Sequence, residues 1–241
     1  MTMYKAIFPK NVNIVSTSRY IDGGNSADNY SNFNLGIHSG DDKDSVLLNR
    51  DLLIDNYKLP SQPRWLKQTH SNICLDASQV HNNENADASF TLTKGVVCAI
   101  LTADCLPIFA CNRKGTMVGI AHAGWRGIVG GVVESFVECF EDKDLLFYFG
   151  AAISAKVFEV GDDVYKQFIN KNNSLKYSFT KHQDKYLLDI FGATKTILNE
   201  IGMHDIAGGD QCTYLQKDKY FSYRRDGKHS GRMAHLIWMS N

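Results

Sequence analysis

Four near-continuous apolar runs, Gly95–Thr102, Ile108–Cys111, Met117–Ala121 and Leu145–Gly150, crowd the middle of the chain. They do not alternate between apolar and polar, as a strand with one wet face would. Such runs are expected of strands covered on both faces, and that demands a layered architecture. A fifth strand-like run lies at Val12–Thr17. Helical patterns appear at Ser45–Tyr57, Ile128–Phe140 and Leu188–Ile201. In the second of these, Val129, Val132, Val133, Phe136, Val137 and Phe140 recur near the 3.6-residue period and mark one apolar side. Strands interleaved with helices predict an α/β fold, a layered sandwich with a mixed sheet. No repeat, low-complexity tract or linker divides the chain, and its 4 prolines are spread apart, so one domain is expected over residues 1–241.

Charge bounds the partners. Lys+Arg and Asp+Glu number 26 each, so the chain has no net attraction for a polyanion, and a nucleic-acid polymer is not expected as partner. Any anion site must be local. The opening Met1–Asn11 has no apolar core behind a basic start, and no run approaches the ~18 apolar residues of a membrane span. Cys74, Cys98, Cys105, Cys111, Cys139 and Cys212 form no C-x-x-C and read as reduced thiols. A cytoplasmic protein with no membrane attachment is the expectation.

Three segments carry chemistry: W-L-K-Q-T-H-S at Trp65–Ser71, L-T-A-D-C-L-P-I at Leu101–Ile108, and G-I-A-H-A-G-W-R-G at Gly119–Gly127. Each sets a candidate ligand, His70, Cys105 or His122, just beyond a strand-like run, at the edge where α/β sheets usually gather their sites. Two imidazoles and a thiolate suit Zn²⁺ and leave a fourth position open, the pattern of a catalytic zinc. The intervals of 35 and 17 residues are too long for a zinc finger, and a buried thiol with two hydrogen-bonded core histidines fits the same residues. The surroundings favour a site. Asp104 precedes Cys105, Gln68 precedes His70, and a helix expected to start near Gly127 would aim its first amides beside Arg126.

A fourth segment, Tyr220–Gly227 followed by Gly231–Met233, offers Arg224, Arg225 and Arg232 with Phe221 and Tyr223 between them, a ligand-lined loop or simply a solvated one. Nearer the N-terminus, Arg19, Asn34 and His38 of N-L-G-I-H-S-G-D-D, and Arg50 add further donors. Asp41-Asp42 reads equally well as the cap of the Ser45–Tyr57 helix.

With these segments in this order, the chain resembles the YfiH-type laccase-domain family, also described as polyphenol oxidases, multifunctional purine nucleoside phosphorylases or peptidoglycan editing factors. The matching motifs are N-L-G-x-H-x-G-D-D, W-L-x-Q-x-H, A-D-x-S, T-A-D-C-L-P, H-A-G-W-R-G, F-E-V-G at Phe158–Gly161, C-T-Y at Cys212–Tyr214, and S-Y-R-R-D with G-R-M. They run from Val15 to Trp238. The resemblance implies a single-domain α/β sandwich and metal ligands at His70, Cys105 and His122. The chain departs from the family at Thr69 and Ser71, where Q-V-H-G is usual, at Gly150–Ser154, where G-P-A-I-G is usual, and in a longer loop between Arg19 and Asn34.

The resemblance implies several activities, which the residues weigh. Phosphorolysis of adenosine, inosine or methylthioadenosine needs phosphate held at the ribose C1′, a task for arginines. Adenosine deamination needs an activated water, which a three-ligand zinc supplies, although the H-x-E…P-C-x-x-C deaminase signature is absent. Copper would bind the same ligands, but a four-copper laccase draws on H-x-H pairs, and none occurs among the 8 histidines. Cys105 with His122 as its base would give a thiol amidase acting on peptidoglycan (muropeptide) precursors. A metal-binding protein without activity would have no use for the arginines. The sequence thus favours zinc-dependent purine nucleoside chemistry. Cys105, His122 and Asp104 are the expected catalytic residues. Arg19, Asn34, His38, Arg50, Gln68, Arg126, Tyr223, Arg224, Arg225 and Arg232 are the expected substrate-binding ones.

Overall fold

Every residue of the strands at Leu106–Asn112, Val118–Ala123, Leu145–Phe149 and Met233–Met239 is buried, as covered strands require. The computed structural model describes residues 7–79 and 83–240. Residues 1–6, part of the stretch read as lacking a signal segment, lie outside them.

In chain order the strands are β1 (Val12–Ser16), β2 (Arg64–Trp65), β3 (Cys74–Asp76), β4 (Ala88–Thr91), β5 (Cys98–Thr102), β6 (Leu106–Asn112), β7 (Val118–Ala123), β8 (Leu145–Phe149), β9 (Glu159–Val160), β10 (Phe179–His182), β11 (Lys185–Leu188), β12 (Ile206–Gly208) and β13 (Met233–Met239). The helices are α1 (Lys43–Tyr57), α2 (Trp125–Gly130), α3 (Val132–Glu138), α4 (Asp162–Lys171), α5 (Ile190–Glu200) and α6 (Tyr223–Asp226). A four-stranded sheet has the order β1-β13-β5-β2, a six-stranded sheet the order β12-β8-β6-β7-β4-β3, and a small sheet the order β10-β11-β9. The two larger sheets each mix parallel and antiparallel pairs, so the single mixed sheet of the sequence reading becomes two.

Side-chain alternation along β6 explains the layering. Ile108 and Ala110 join a core shared with Ile128, Val133, Phe136, Phe168 and Ile197 of the helices. Phe109 and Cys111 point the other way, into a core shared with Ile100 of β5 and Ile237 of β13. A third core packs Ala99 and Leu236, from the outer face of the four-stranded sheet, against Leu53 of α1. The order is therefore helix, sheet, sheet, helices. Both faces of the inner strands are dry, which is why their sequences do not alternate.

The Asp42 side chain accepts from the Ser45 amide at 2.8 Å and caps α1, as the sequence allowed. The single helix expected over Ile128–Phe140 is instead two. Gly131 has φ 94° and breaks it between α2 and α3, in a left-handed conformation that glycine adopts without the steric cost of a side chain. That helical pair also begins at Trp125, two residues before the expected start.

Candidate active site

The chain passes from one large sheet to the other between β5 and β6, and Cys105 sits at this crossover. His122 is on β7, opposite Pro107 of β6. His70 follows β2, in a left-handed conformation with φ 60°. Asp104 shares this strained geometry, with φ 88°. The ligand atoms of His70, Cys105 and His122 all lie within 4.8 Å of one another. Among the described residues this is the one such cluster.

Asp87 organises two of the three. One of its carboxylate oxygens accepts from the His70 amide at 3.1 Å and meets His122 Nδ1 at 2.8 Å. The other accepts from the Thr69 and Ser71 amides and from Ser71 Oγ, at 3.1, 2.6 and 2.8 Å. With Nδ1 engaged by Asp87, the other nitrogen of His122 is left for the Cys105 side. Burial opposes ionisation of Asp87, yet the bonds from His122 and Ser71 outweigh it and hold its pKa down at about 2. Burial also disfavours charge on His122, but the Cys105 and Asp87 charges prevail and raise it to about 9. His70 goes the other way. Burial first, then the neighbouring His122, lowers it to about 4, so its ring is neutral near pH 7.

The residues fit a metal. His70 Nδ1 is buried without a hydrogen-bond partner, a lone pair left open in a protein interior. A Cβ placed on Gly124 would lie 2.5 Å from His70 Nδ1 and 2.9 Å from Cys105 Sγ, so glycine there is what lets the two groups approach. Two nitrogens and a thiolate sulfur match zinc, and would accept copper.

Above the cluster opens a cleft of about 590 Å³. Of the expected substrate residues, His38, Arg50, Gln68, Arg126, Tyr223, Arg224 and Arg232 line it. Gln68 is braced at both ends of its amide by the Leu101 backbone, at 2.7 Å each. The cleft's arginines lie over aromatic rings: Arg50 over Trp65 at 4.3 Å, Arg126 over Trp125 at 4.2 Å, Arg224 over Phe158 at 5.2 Å, and Arg232 over Tyr223 at 5.7 Å.

Three expected residues are not in the cleft. Arg19 donates to the Ser31 and Lys217 carbonyls and lies over Phe221. Asn34 is fully buried and ties Ser39, Asp41 and the Gly36 and Arg232 amides together. Arg225 bridges Asp226 and the carbonyls of Thr213, Tyr214 and Tyr220. Asp104 does line the cleft, but its carboxylate accepts from Thr213 Oγ1 at 2.5 Å, Ser222 Oγ at 3.0 Å and the Arg224 amide at 2.6 Å. That pins the loop carrying Tyr223 and Arg224. The residue the sequence reading passed over is Asp87. Its signal was the A-D-x-S motif at Ala86–Ser89, which stood in the resemblance without a role.

A layered α/β sandwich with an open His₂Cys cluster beneath an arginine-lined cleft is thus the class that fold and site define. The family model described as multi-copper polyphenol oxidoreductase laccase matches residues 13–240, and the chain belongs to that family. An Escherichia coli K12 protein named purine nucleoside phosphorylase YfiH is 44% identical over 234 residues, covering 96% of this chain and 95% of that protein. A Haemophilus influenzae purine nucleoside phosphorylase is 41% identical over 235 residues, covering 95% of each. The crystal structure of Neisseria meningitidis protein NMB0706 superposes with a TM-score of 0.92 at 39% identity, covering 97% of this chain and 96% of that one. No helix among the described residues is long and apolar enough to cross a membrane.

Proposed function

We propose that this protein is a zinc-dependent purine nucleoside phosphorylase that also deaminates adenosine. The observation that carries the reading is the union, in one cleft, of the His70–Cys105–His122 cluster with Arg126, Arg224 and Arg232. The relatives named for that activity support it. Phosphorolysis breaks the bond between the base nitrogen and C1′, joins a phosphate oxygen to C1′, and releases base and ribose-1-phosphate. The arginines hold the dianion in line with C1′ and so avoid the entropy cost of collecting it from solution. Their stacking on rings fixes each guanidinium before substrate arrives, so little reorganisation accompanies charge development. Asp104 acts as a positioning residue, fixing the loop that presents Tyr223 and Arg224. A zinc held by His70, Cys105 and His122 supplies Lewis acidity and an activated water for the deamination.

The test is a preparation of measured zinc content incubated with adenosine, with and without phosphate, its products separated by chromatography. Adenine with ribose-1-phosphate, formed only when phosphate is present, is the expected result, and inosine marks deamination. No turnover of any purine nucleoside by zinc-loaded protein overturns the reading.

One observation favours a second reading. Cys105, His122 and Asp87 stand in a row, nucleophile, base and orienter, as in a thiol amidase. In that role the Cys105 thiolate adds to an amide carbonyl of a muropeptide precursor, and His122 protonates the departing amine. Copper oxidase chemistry ranks last, because reduction of oxygen to water at several coppers needs more ligands than this cluster offers.

A further inference from the structure

Two half-buried cations away from the cleft are paired with an acid. Lys171 meets Glu134 at 2.6 Å, and Arg225 meets Asp226 at 2.8 Å. Half-buried Arg19 and Arg64, outside the cleft, have no carboxylate partner among the described residues. So it is with Arg50 and Arg232. Both face the cleft, and neither has a carboxylate within 4.0 Å among the described residues. The cleft as a whole repeats the imbalance. Arg50, Lys67, Arg126, Arg224 and Arg232 line it against the acid Asp104, whose oxygens are engaged by Thr213, Ser222 and the Arg224 amide. In a chain of net charge +0, this concentration is local.

Arg50 and Arg232 have different electrostatic surroundings. Arg232 is drawn electrostatically to Cys105 and Asp104, which places it by the cluster where phosphorolysis would occur. No charged group offsets the burial of Arg50, whose guanidinium is destabilised to a pKa of about 10. It stands on α1 over the Trp65 ring at 4.3 Å, and Lys67, two residues after Trp65 in the chain, lines the same cleft. Its Nε and Nη2 both donate to the Leu35 carbonyl, at 3.0 and 2.9 Å. A guanidinium has five N–H donors. Two go to Leu35, and the rest of the fork has no partner among the described residues. The same short segment braces Arg232, whose amide donates to Asn34 Oδ1 at 2.8 Å. A half-buried, braced cation that faces a cleft without a counter-ion is ready to pair with an anionic ligand.

A single phosphate at C1′ engages the arginines beside the cluster and leaves this second group unused. We infer that Arg50 and Lys67, beside Trp65, form a second phosphate subsite, filled by a phosphate that the nucleoside itself carries. The inference deepens the phosphorylase reading and rests on it. It makes the preferred ligand a nucleoside 5′-phosphate, whose phosphate lies at the far end of the ribose from the C1′–base bond.

The experiment is isothermal titration of zinc-loaded protein with adenosine, with adenosine 5′-monophosphate and with inorganic phosphate, each at low and high salt. The monophosphate is expected to bind at least about tenfold tighter than adenosine at low salt, with the ratio shrinking as salt screens the contact. In Arg50→Gln, and independently in the surface variant Lys67→Gln, that ratio is expected to fall toward one. The second variant keeps the test alive should the first fold poorly. Two inorganic phosphates per chain, one of them lost in both variants, would also uphold the subsite and assign it to the free ion. One phosphate per chain with a ratio near one in the wild type overturns it. Parallel turnover assays separate the two readings. Phosphorolysis of adenosine with one phosphate bound per chain and a ratio near one sinks the subsite alone, whereas tight monophosphate binding without any nucleoside turnover sinks the phosphorylase reading alone.

Discussion

Asp87 Oδ1 meets His122 Nδ1 at 2.8 Å, while the same carboxylate gathers the amides of Thr69, His70 and Ser71. One acid therefore sets the ring orientation of one candidate ligand and the backbone of another. Carboxylates in this position orient metal-bound histidines and raise their basicity.

We expect Asp87→Asn to weaken zinc binding by about 10–100-fold. Competition with a chromogenic chelator measures it directly, without reference to turnover. Asp87→Glu should recover part of the loss. Wild-type affinity in Asp87→Asn would mean that the ligands are held by other contacts.

Gly124→Ala isolates the cluster sterically. Gly124 has φ −72°, which alanine adopts freely, so the backbone is unaffected. The new methyl group would stand 2.5 Å from His70 Nδ1. Zinc affinity should drop more than about tenfold, while unfolding free energy in urea changes by less than about 1.5 kcal/mol, since only a side chain need move. Equal losses in both would show general disruption instead.

His235 gives the acid limb of stability a marker. It is fully buried between Ser16 Oγ at 2.9 Å and Thr102 Oγ1 at 2.8 Å, and burial lowers its pKa to about 3. The unfolded chain protonates this histidine near about 6.5. Between those values the unfolded state binds the extra proton, so the contribution is complete above pH ~6.5 and is lost as pH falls toward 3. Wild type should therefore lose up to about 1.4 kcal/mol per pH unit relative to His235→Gln below that point. Urea melts of metal-free protein from pH 7.5 to 4.5 read the gap, and a gap that does not change with pH would refute the depressed pKa.

Arg224 and Arg225 should separate cleanly. Arg225→Ala removes bonds to Asp226 and to the Thr213, Tyr214 and Tyr220 carbonyls, and we expect a loss of roughly 2–4 kcal/mol of stability with the phosphate KM little changed. Arg224→Ala should raise that KM with little change in melting temperature, its side chain being exposed and bonded to the Glu159 carbonyl. The reverse pattern would exchange the two roles.

Strand content was legible because the inner strands are dry on both sides, which leaves an unbroken apolar run as its trace. The second sheet was not legible, because β1 and β5 do not show their pairing in their own residues, and β13, the strand that joins them, was not read as a strand. The break at Gly131 was hidden because the apolar side continues in register across it. At the site, the motifs named three candidate ligands that the fold brings within 4.8 Å of one another, two on bends and His122 on β7. That Asn34 and Arg225 lie outside the cleft was not legible, for one physical reason. A polar side chain that braces a loop from within and one that reaches a ligand look alike in sequence, and only the partners, carbonyls and amides here, tell them apart. Asp87 was missed by the converse. Its importance lies in what it accepts from three consecutive amides, and backbone amides have no letter in a sequence.

The crossover at Cys105 has a mechanical corollary. His70 hangs from the four-stranded sheet, His122 belongs to the six-stranded one, and Cys105 lies on the strap between them. An ion seated there is a rivet through two plates. Its grip depends on their spacing, so any slip of one sheet over the other would loosen it, and its release would report the onset of that slip before the helices melt.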